Sequence, residues 1–251
     1  MDSQDQKIIG NMLSDEKIYG FIVHNLKQTL PSIGFSVGLT EELTENLRNL
    51  NIQKFFDKYS QELDEVFTVG FFKKIVPAYF EKYVIPEIPN SDNFLDVGCG
   101  TGILINRLAK TNSFNKLIGI DVLRYPEWES YSGKNNSFQI VNDNQFPAFL
   151  KAYKPDSIAL TWTLHHMRTE EQSEYLELIF SNIKEGSKLV ILEDSYSETL
   201  QPENGQKKYK EFMSWNEESR KKIMSVYDWI ANRILAQRIK VSIPFTYRTM
   251  E

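Results

Sequence analysis

The segment Asn93-Phe94-Leu95-Asp96-Val97-Gly98-Cys99-Gly100-Thr101-Gly102 constrains the fold more than any other part of the chain. Its apolar opening reads as a buried strand, and Ile103, Leu104, Ile105 and Leu108 follow at helical spacing. Between strand and helix the backbone must turn sharply. Glycine suits that turn because, without a Cβ, it takes left-handed conformations and lets a ligand approach the main chain. A strand, a glycine-rich turn and a helix in this order belong to a doubly wound α/β sheet.

The rest of the chain agrees with that start. Short apolar runs at Phe94 to Val97, Lys116 to Val122, Ser137 to Val141, Ser157 to Trp162 and Lys188 to Glu193 alternate with helix-like stretches, which predicts βαβ units and a mostly parallel sheet. Upstream, from Ser14 to Tyr83, the period is helical, as in Ile18, Phe21 and Ile22 and again in Val66, Phe67, Val69, Phe71 and Phe72. Helix starts are expected at Ser14 and Thr40. Pro86 and Pro89 break this pattern and place a boundary near residue 90. The expected organisation is therefore a helical cap over residues 1–90 and an α/β domain over 91–251, with a helical insertion at about 204–240 carrying Phe212, Trp215, Ile223 and Ile230. The rings of Phe67, Phe71, Phe72, Tyr79, Phe80 and Tyr83 are read either as helix-packing core or as a lid that excludes water from a site.

Glycine spacing narrows the ligand. The dinucleotide fingerprint G-x-G-x-x-G sets pyrophosphate at a helix N-terminus, whereas here the glycines alternate at 98, 100 and 102 and Asp96 precedes them. A carboxylate at the loop suits an ammonium group better than a phosphate. The net charge of -5 supplies no field for nucleic acid, so a nucleic-acid partner is not favoured. The single cysteine, Cys99, can form neither an internal disulfide nor a thiolate metal cluster, which fits a reducing, cytoplasmic setting. Met1 to Lys17 is polar, unlike a secretory signal, and no apolar run approaches the ~18 residues of a membrane span. A soluble, unprocessed protein with no membrane partner is expected, and oligomeric state is not written in the sequence.

Over about residues 91–200 the chain resembles the class I S-adenosylmethionine-dependent methyltransferase superfamily, whose first motif, Asp-Val-Gly-Cys-Gly-Thr-Gly, is met at every position from Asp96 to Gly102. The resemblance implies a Rossmann-like methyltransferase fold in which Asp96 and the loop of Gly98, Cys99, Gly100 and Gly102 hold the amino-acid end of the cofactor. Asp121 closes the second apolar run about twenty residues further on, where a carboxylate can accept both hydroxyls of a ribose; taken alone it is a turn former or helix cap. Asn142, Asp143 and Asn144 stand where the family pattern places the adenine contacts, with Asp143 for the amino group and the Asn144 backbone amide for a ring nitrogen, although a polar turn before Pro147 is the plainer reading. Thr161 completes the expected cofactor set. The family sheet ends in an antiparallel strand, and Val241 to Glu251 leaves no room for a further helix and strand, so the C-terminal end of the sheet is expected to be cut short.

Methyl transfer is an in-line displacement at carbon, so the protein mainly positions a nucleophile and, where that nucleophile is acidic, removes its proton. The fourth run leads into Thr163-Leu164-His165-His166-Met167, at the sheet end where ligands of open α/β sheets collect. His165 and His166 are two of the three histidines, and one of them is a candidate general base, with a structural turn as the alternative. Glu193, with Asp194 and Tyr196, closes the fifth run and is a candidate base or substrate contact, or a cap. Thr161 to Leu164 lacks the Asp/Asn-Pro-Pro-aromatic pattern of base-directed amino methyltransferases. The expected function is thus methylation of a small molecule or carrier-bound metabolite of natural-product type, releasing S-adenosylhomocysteine. The His pair and Leu192 to Ser197 are also similar to polyketide-pathway enzymes that use a divalent metal. There Gln172, Glu193 and Asp194 would join the imidazoles, but adjacent histidines seldom share one ion, so no metal ligand is assigned. A non-catalytic cofactor-binding or interaction domain of a larger protein is the remaining alternative.

Overall fold

Five runs of apolar residues become five strands: β1 (Ser91–Val97), β2 (Phe114–Asp121), β3 (Asn136–Ile140), β4 (Ser157–Thr161) and β5 (Lys188–Leu192). The computed structural model describes residues 3–49, 52–66, 73–111, 114–167, 169–193 and 203–239. Among the described residues all strand pairings are parallel, in the order β3-β2-β1-β4-β5. The expected doubly wound, Rossmann-like sheet is therefore present, with β1 in its middle. Parallel strands need crossover helices, and these are α7 (Ile103–Leu108), α8 (Glu127–Tyr131), α9 (Phe146–Tyr153) and α10 (Thr169–Asn182).

Side chains alternate across the sheet. Leu95 and Val97 of β1, Ile118 and Ile120 of β2 and Ile158 and Leu160 of β4 face one way, where Phe146 and Leu150 of α9 and Ile179 of α10 complete a buried core. Phe94 and Asp96 consequently point to the opposite face. That places a carboxylate inside the central strand.

By its internal contacts the chain divides into two compact units, residues 74–194 and residues 1–73 with 195–251. The second holds α1 (Ser3–Leu13), α2 (Glu16–Thr29), α3 (Val37–Arg48), α4 (Ile52–Lys58), α5 (Ser60–Glu65), α11 (Glu203–Ser214) and α12 (Glu217–Ile239). Its core joins Ile18, Ile22, Leu43, Leu47 and Phe55 to Ile223, Val226 and Trp229, so the helices placed by sequence in an insertion pack with the N-terminal helices. Residues 74–90 belong with the sheet. There α6 (Val76–Tyr79) runs into a π-helical turn at Phe80–Val84, Phe80 and Val84 are buried, and Glu81 pairs with Arg107 of α7 at 3.1 Å.

Two helix starts differ from expectation. The cap of α2 is Asp15, not Ser14, because Asp15 Oδ1 accepts from the Lys17 and Ile18 amides at 2.9 and 3.3 Å. The cap of α3 is Ser36, whose Oγ accepts from Leu39 N at 3.1 Å, and Thr40 is buried within the helix. Phe67, Val69, Phe71, Phe72 and the strand-like run after Val241 lie outside the described residues. Among the described residues no helix is long and apolar enough to cross a membrane.

Leu95 is 0% exposed at the centre of the sheet, so Leu95→Ala is expected to lower stability by about 2–5 kcal/mol. Ile140→Thr, at a residue 50% exposed on the edge strand β3, should stay within about 0.5 kcal/mol in the same urea titration.

Candidate cofactor and acceptor site

In this strand order the chain leaves β1 towards β2 and later returns to β4 on the other side of β1. In open α/β sheets such a reversal of strand order, beyond the carboxyl ends of the strands, is where ligands bind. The loop of Gly98 to Gly102 and the turn of Trp162 to Met167 meet at that point. Gly98, Gly100 and Gly102 all have left-handed backbones, with φ of 69°, 51° and 81°. The loop is braced by Cys99 N donating to Ile120 O at 3.0 Å, Gly102 N to Cys99 O at 2.9 Å and Gly100 N to Asp121 Oδ2 at 2.9 Å.

The glycines serve different ends. A Cβ at Gly102 would lie 2.4 Å from the Phe138 ring, and one at Gly98 would lie 2.4 Å from Thr163 Oγ1. One at Gly100 would meet nothing within 4 Å. The outer two glycines thus let neighbours close on the loop, while the space beside the Gly100 Cα stays open, its amide and carbonyl being held by Asp121 and Trp128.

Each flank of the loop has a clasp. On the β2 side, Trp128 Nε1 donates to Gly100 O at 2.8 Å, and its indole stacks on Phe138 at 5.3 Å and 15°. On the β4 side, Thr163 Oγ1 donates to Val97 O at 2.9 Å. The Thr163 and Leu164 amides both donate to Glu193 Oε1, at 2.7 and 2.6 Å. Trp162 N donates to Leu192 O at 2.8 Å, and Trp162 itself has a left-handed φ of 53°, which a bulky residue rarely adopts. Its ring lies 5.8 Å from Tyr79 and 5.6 Å from Phe80. Trp128 and Phe138 carried no functional signal in the sequence, and Thr163 none beyond its place in the turn after the fourth run, because each acts through a tertiary contact.

Asp96 is 1% exposed, and neither carboxylate oxygen has a hydrogen-bond partner. Its neighbours across the sheet are Gly119 and Ala159, which bring no side-chain donor. Burial, with the charge of Asp121 added, pushes its carboxyl well above the usual carboxylate range. Burial also raises Asp121, against the amides of Leu123, Gly100 and Val122, which lower it. Asp121 Oδ1 accepts from Leu123 N at 3.0 Å, and each of its oxygens keeps a second lone pair. Burial, then the charges of Asp96 and Asp121, pushes the Cys99 thiol up as well.

The other expected residues are spread along the same sheet edge. Asn142, Asp143 and Asn144 are exposed in the turn after β3, where Asn142 N donates to Gln145 Oε1 at 3.1 Å. Tyr175 stacks on Phe146 at 4.7 Å, and burial, then the charges of Asp143 and Asp121, raise its hydroxyl. Thr161 is buried at the end of β4. His166 is exposed on the short turn Leu164–His166, while the His165 ring, Asp194 and Tyr196 lie outside the described residues. Gln172 Nε2 donates to Met167 O at 3.1 Å. Among the described residues no three His, Cys, Asp or Glu side chains gather as a metal-ligand group.

Gly102→Ala combines a left-handed backbone with the Phe138 clash and is expected to cost about 1–3 kcal/mol beyond Gly100→Ala, which meets backbone strain alone. Urea titration of the two variants checks that order.

The family described as a methyltransferase domain matches residues 71–229. Among solved structures, a SAM dependent methyltransferase from Archaeoglobus fulgidus is 23% identical, with a TM-score of 0.38, over 50% of this chain and 54% of that one. The chain therefore spans about half the length of that structure. No curated protein matches. Because the family match from residue 71 to 229 takes in more than half of the chain, the protein belongs to the methyltransferase-domain family, whose implied methyl donor is S-adenosylmethionine.

Proposed function

We propose that residues 74–194 bind S-adenosylmethionine at the crevice between β1 and β4, and that the protein methylates a small-molecule or carrier-bound acceptor. The observation that carries the binding is Asp96, a buried carboxylate without a hydrogen-bond partner two residues before the glycine loop. An ionised carboxylate left so is costly, and an ammonium group supplies both the charge and the donors it lacks. Bound there, the cofactor supplies an electrophilic methyl carbon on a cationic sulfur.

In this reading Asp96 and the backbone of Gly98 to Gly102 hold the amino-acid end. Asp121, fixed by the Gly100 and Leu123 amides, turns its remaining lone pairs to the ribose hydroxyls. Asp143 and the Asn144 amide contact adenine, with Asn142 and Thr161 bordering the same pocket. The Trp162 to Met167 turn forms the acceptor wall, and His166 takes up the proton that an oxygen, nitrogen, sulfur or activated carbon nucleophile releases on methylation. The net charge of -5 supports a small or carrier-bound acceptor over nucleic acid.

The pH dependence follows from Asp96. Its folded pKa lies above the unfolded value, so the unliganded fold is favoured where Asp96 is neutral and loses stability as pH rises through the folded pKa. Asp96→Asn, neutral at every pH, should therefore stabilise the unliganded protein by about 1–3 kcal/mol at neutral pH and have no such effect below the ordinary carboxylate range. The same change should weaken S-adenosylhomocysteine binding about 10- to 100-fold by calorimetry. Absence of binding by the folded parent protein would sink the proposal.

A further inference from the structure

We infer that Glu193 is a positioning residue that locks the cofactor loop to the acceptor wall, rather than a group that exchanges protons with substrate. This rests on the cofactor reading above. A single oxygen, Oε1, accepts from two consecutive amides, Thr163 at 2.7 Å and Leu164 at 2.6 Å. Bonds from amides to a carboxylate are charge-assisted and fix its orientation. They hold the start of the short turn that ends at His166.

The hold extends past that turn. Thr163, once fixed by its amide, donates through Oγ1 to Val97 O at 2.9 Å, the last residue of β1. Its side chain also fills the space that a Gly98 Cβ would need, with Oγ1 and Cγ2 at 2.4 and 2.6 Å from that position. Contact thus runs from the end of β5, through the turn after β4, to the glycine loop after β1. Trp162 N donating to Leu192 O doubles the β5 end of this link. A loop and a wall that move as one body keep cofactor and acceptor in register, which is where in-line transfer is most sensitive to displacement.

The link needs an acceptor oxygen at 193 and a hydroxyl at 163, and charge only strengthens bonds that a neutral oxygen also accepts. A glutamine offers an oxygen to the same two amides, and an alanine offers none. This separates positioning from proton transfer or from charge contact with a ligand.

The test uses the full chain and its Glu193→Gln, Glu193→Ala, Thr163→Ser and Thr163→Val variants. Amide hydrogen exchange by NMR is read at Cys99, Gly100, Thr163 and Leu164, with Ile118 and Ile120 in β2 as reference, and S-adenosylhomocysteine affinity is read by calorimetry. Glu193→Ala should speed exchange at least about tenfold at the loop and turn, leave the β2 amides unchanged and weaken binding about tenfold, while Glu193→Gln stays within about threefold of the parent. Thr163→Val should loosen Cys99 and Gly100 and leave Leu164 protected, and Thr163→Ser should restore the parent values. Equal behaviour of the Gln and Ala variants, or faster exchange at Ile118 and Ile120 to the same degree, would overturn the inference. If Glu193→Ala does not fold, the Glu193→Gln and Thr163 pair decide it. If the parent binds no S-adenosylhomocysteine, the proposed function fails, and exchange alone still confirms or refutes the Glu193 link.

Discussion

The buried carboxylate of Asp96 is the constraint around which the sheet unit is arranged. It sits in the central strand, between Gly119 and Ala159, on the face opposite the main apolar core. Neither neighbour can bond to it, and burial holds its carboxyl far above the usual range. Such a group destabilises a fold unless something outside the chain completes it. Its place at the reversal of strand order, where ligands of open α/β sheets collect, is the ground for proposing a ligand there.

A ligand site of this kind works only if the loop above it is already shaped. Three left-handed glycines give the shape, and two clasps keep it. Trp128 and Phe138 close one flank through an indole hydrogen bond and a stacked pair, and Thr163 closes the other through a hydroxyl and a close van der Waals fit. In the proposed site, a loop ordered in the free protein removes that cost from binding. The left-handed Trp162, beside Tyr79 and Phe80, shows the same economy at the acceptor wall, where surrounding contacts hold a strained residue in place.

Much of this was legible in the sequence because it is local. The Asp96 to Gly102 run specifies a strand, a turn and a helix by residue type alone, and each of the five apolar runs became a strand with ends shifted by a few residues. Where neighbours in space decide, the sequence was silent. Pro86 and Pro89 mark a real break in the chain, yet Phe80 and Val84 are buried in the sheet unit, so the division by packing falls before them. The helices after residue 203 show helical spacing in sequence, but only the contacts of Phe212 and Trp229 reveal that they complete the N-terminal core. Asp15 won the capping position over Ser14 through two amide bonds that composition does not distinguish. Glu193 was visible as an acid at a strand end, and its two amide partners became visible only with the turn folded against it.

The carboxyl carbon of Asp96 reports directly on whether a ligand completes the buried carboxylate. Its ¹³C chemical shift can be followed against pH, free and saturated with S-adenosylhomocysteine. The expected result is a titration displaced upward in the free protein, with burial and then the charge of Asp121 as its causes, and an ionised carboxylate across the same pH range once the ligand's ammonium group is bound. An Asp96 shift that titrates in the ordinary carboxylate range when free, or that is unchanged on saturation, would contradict it.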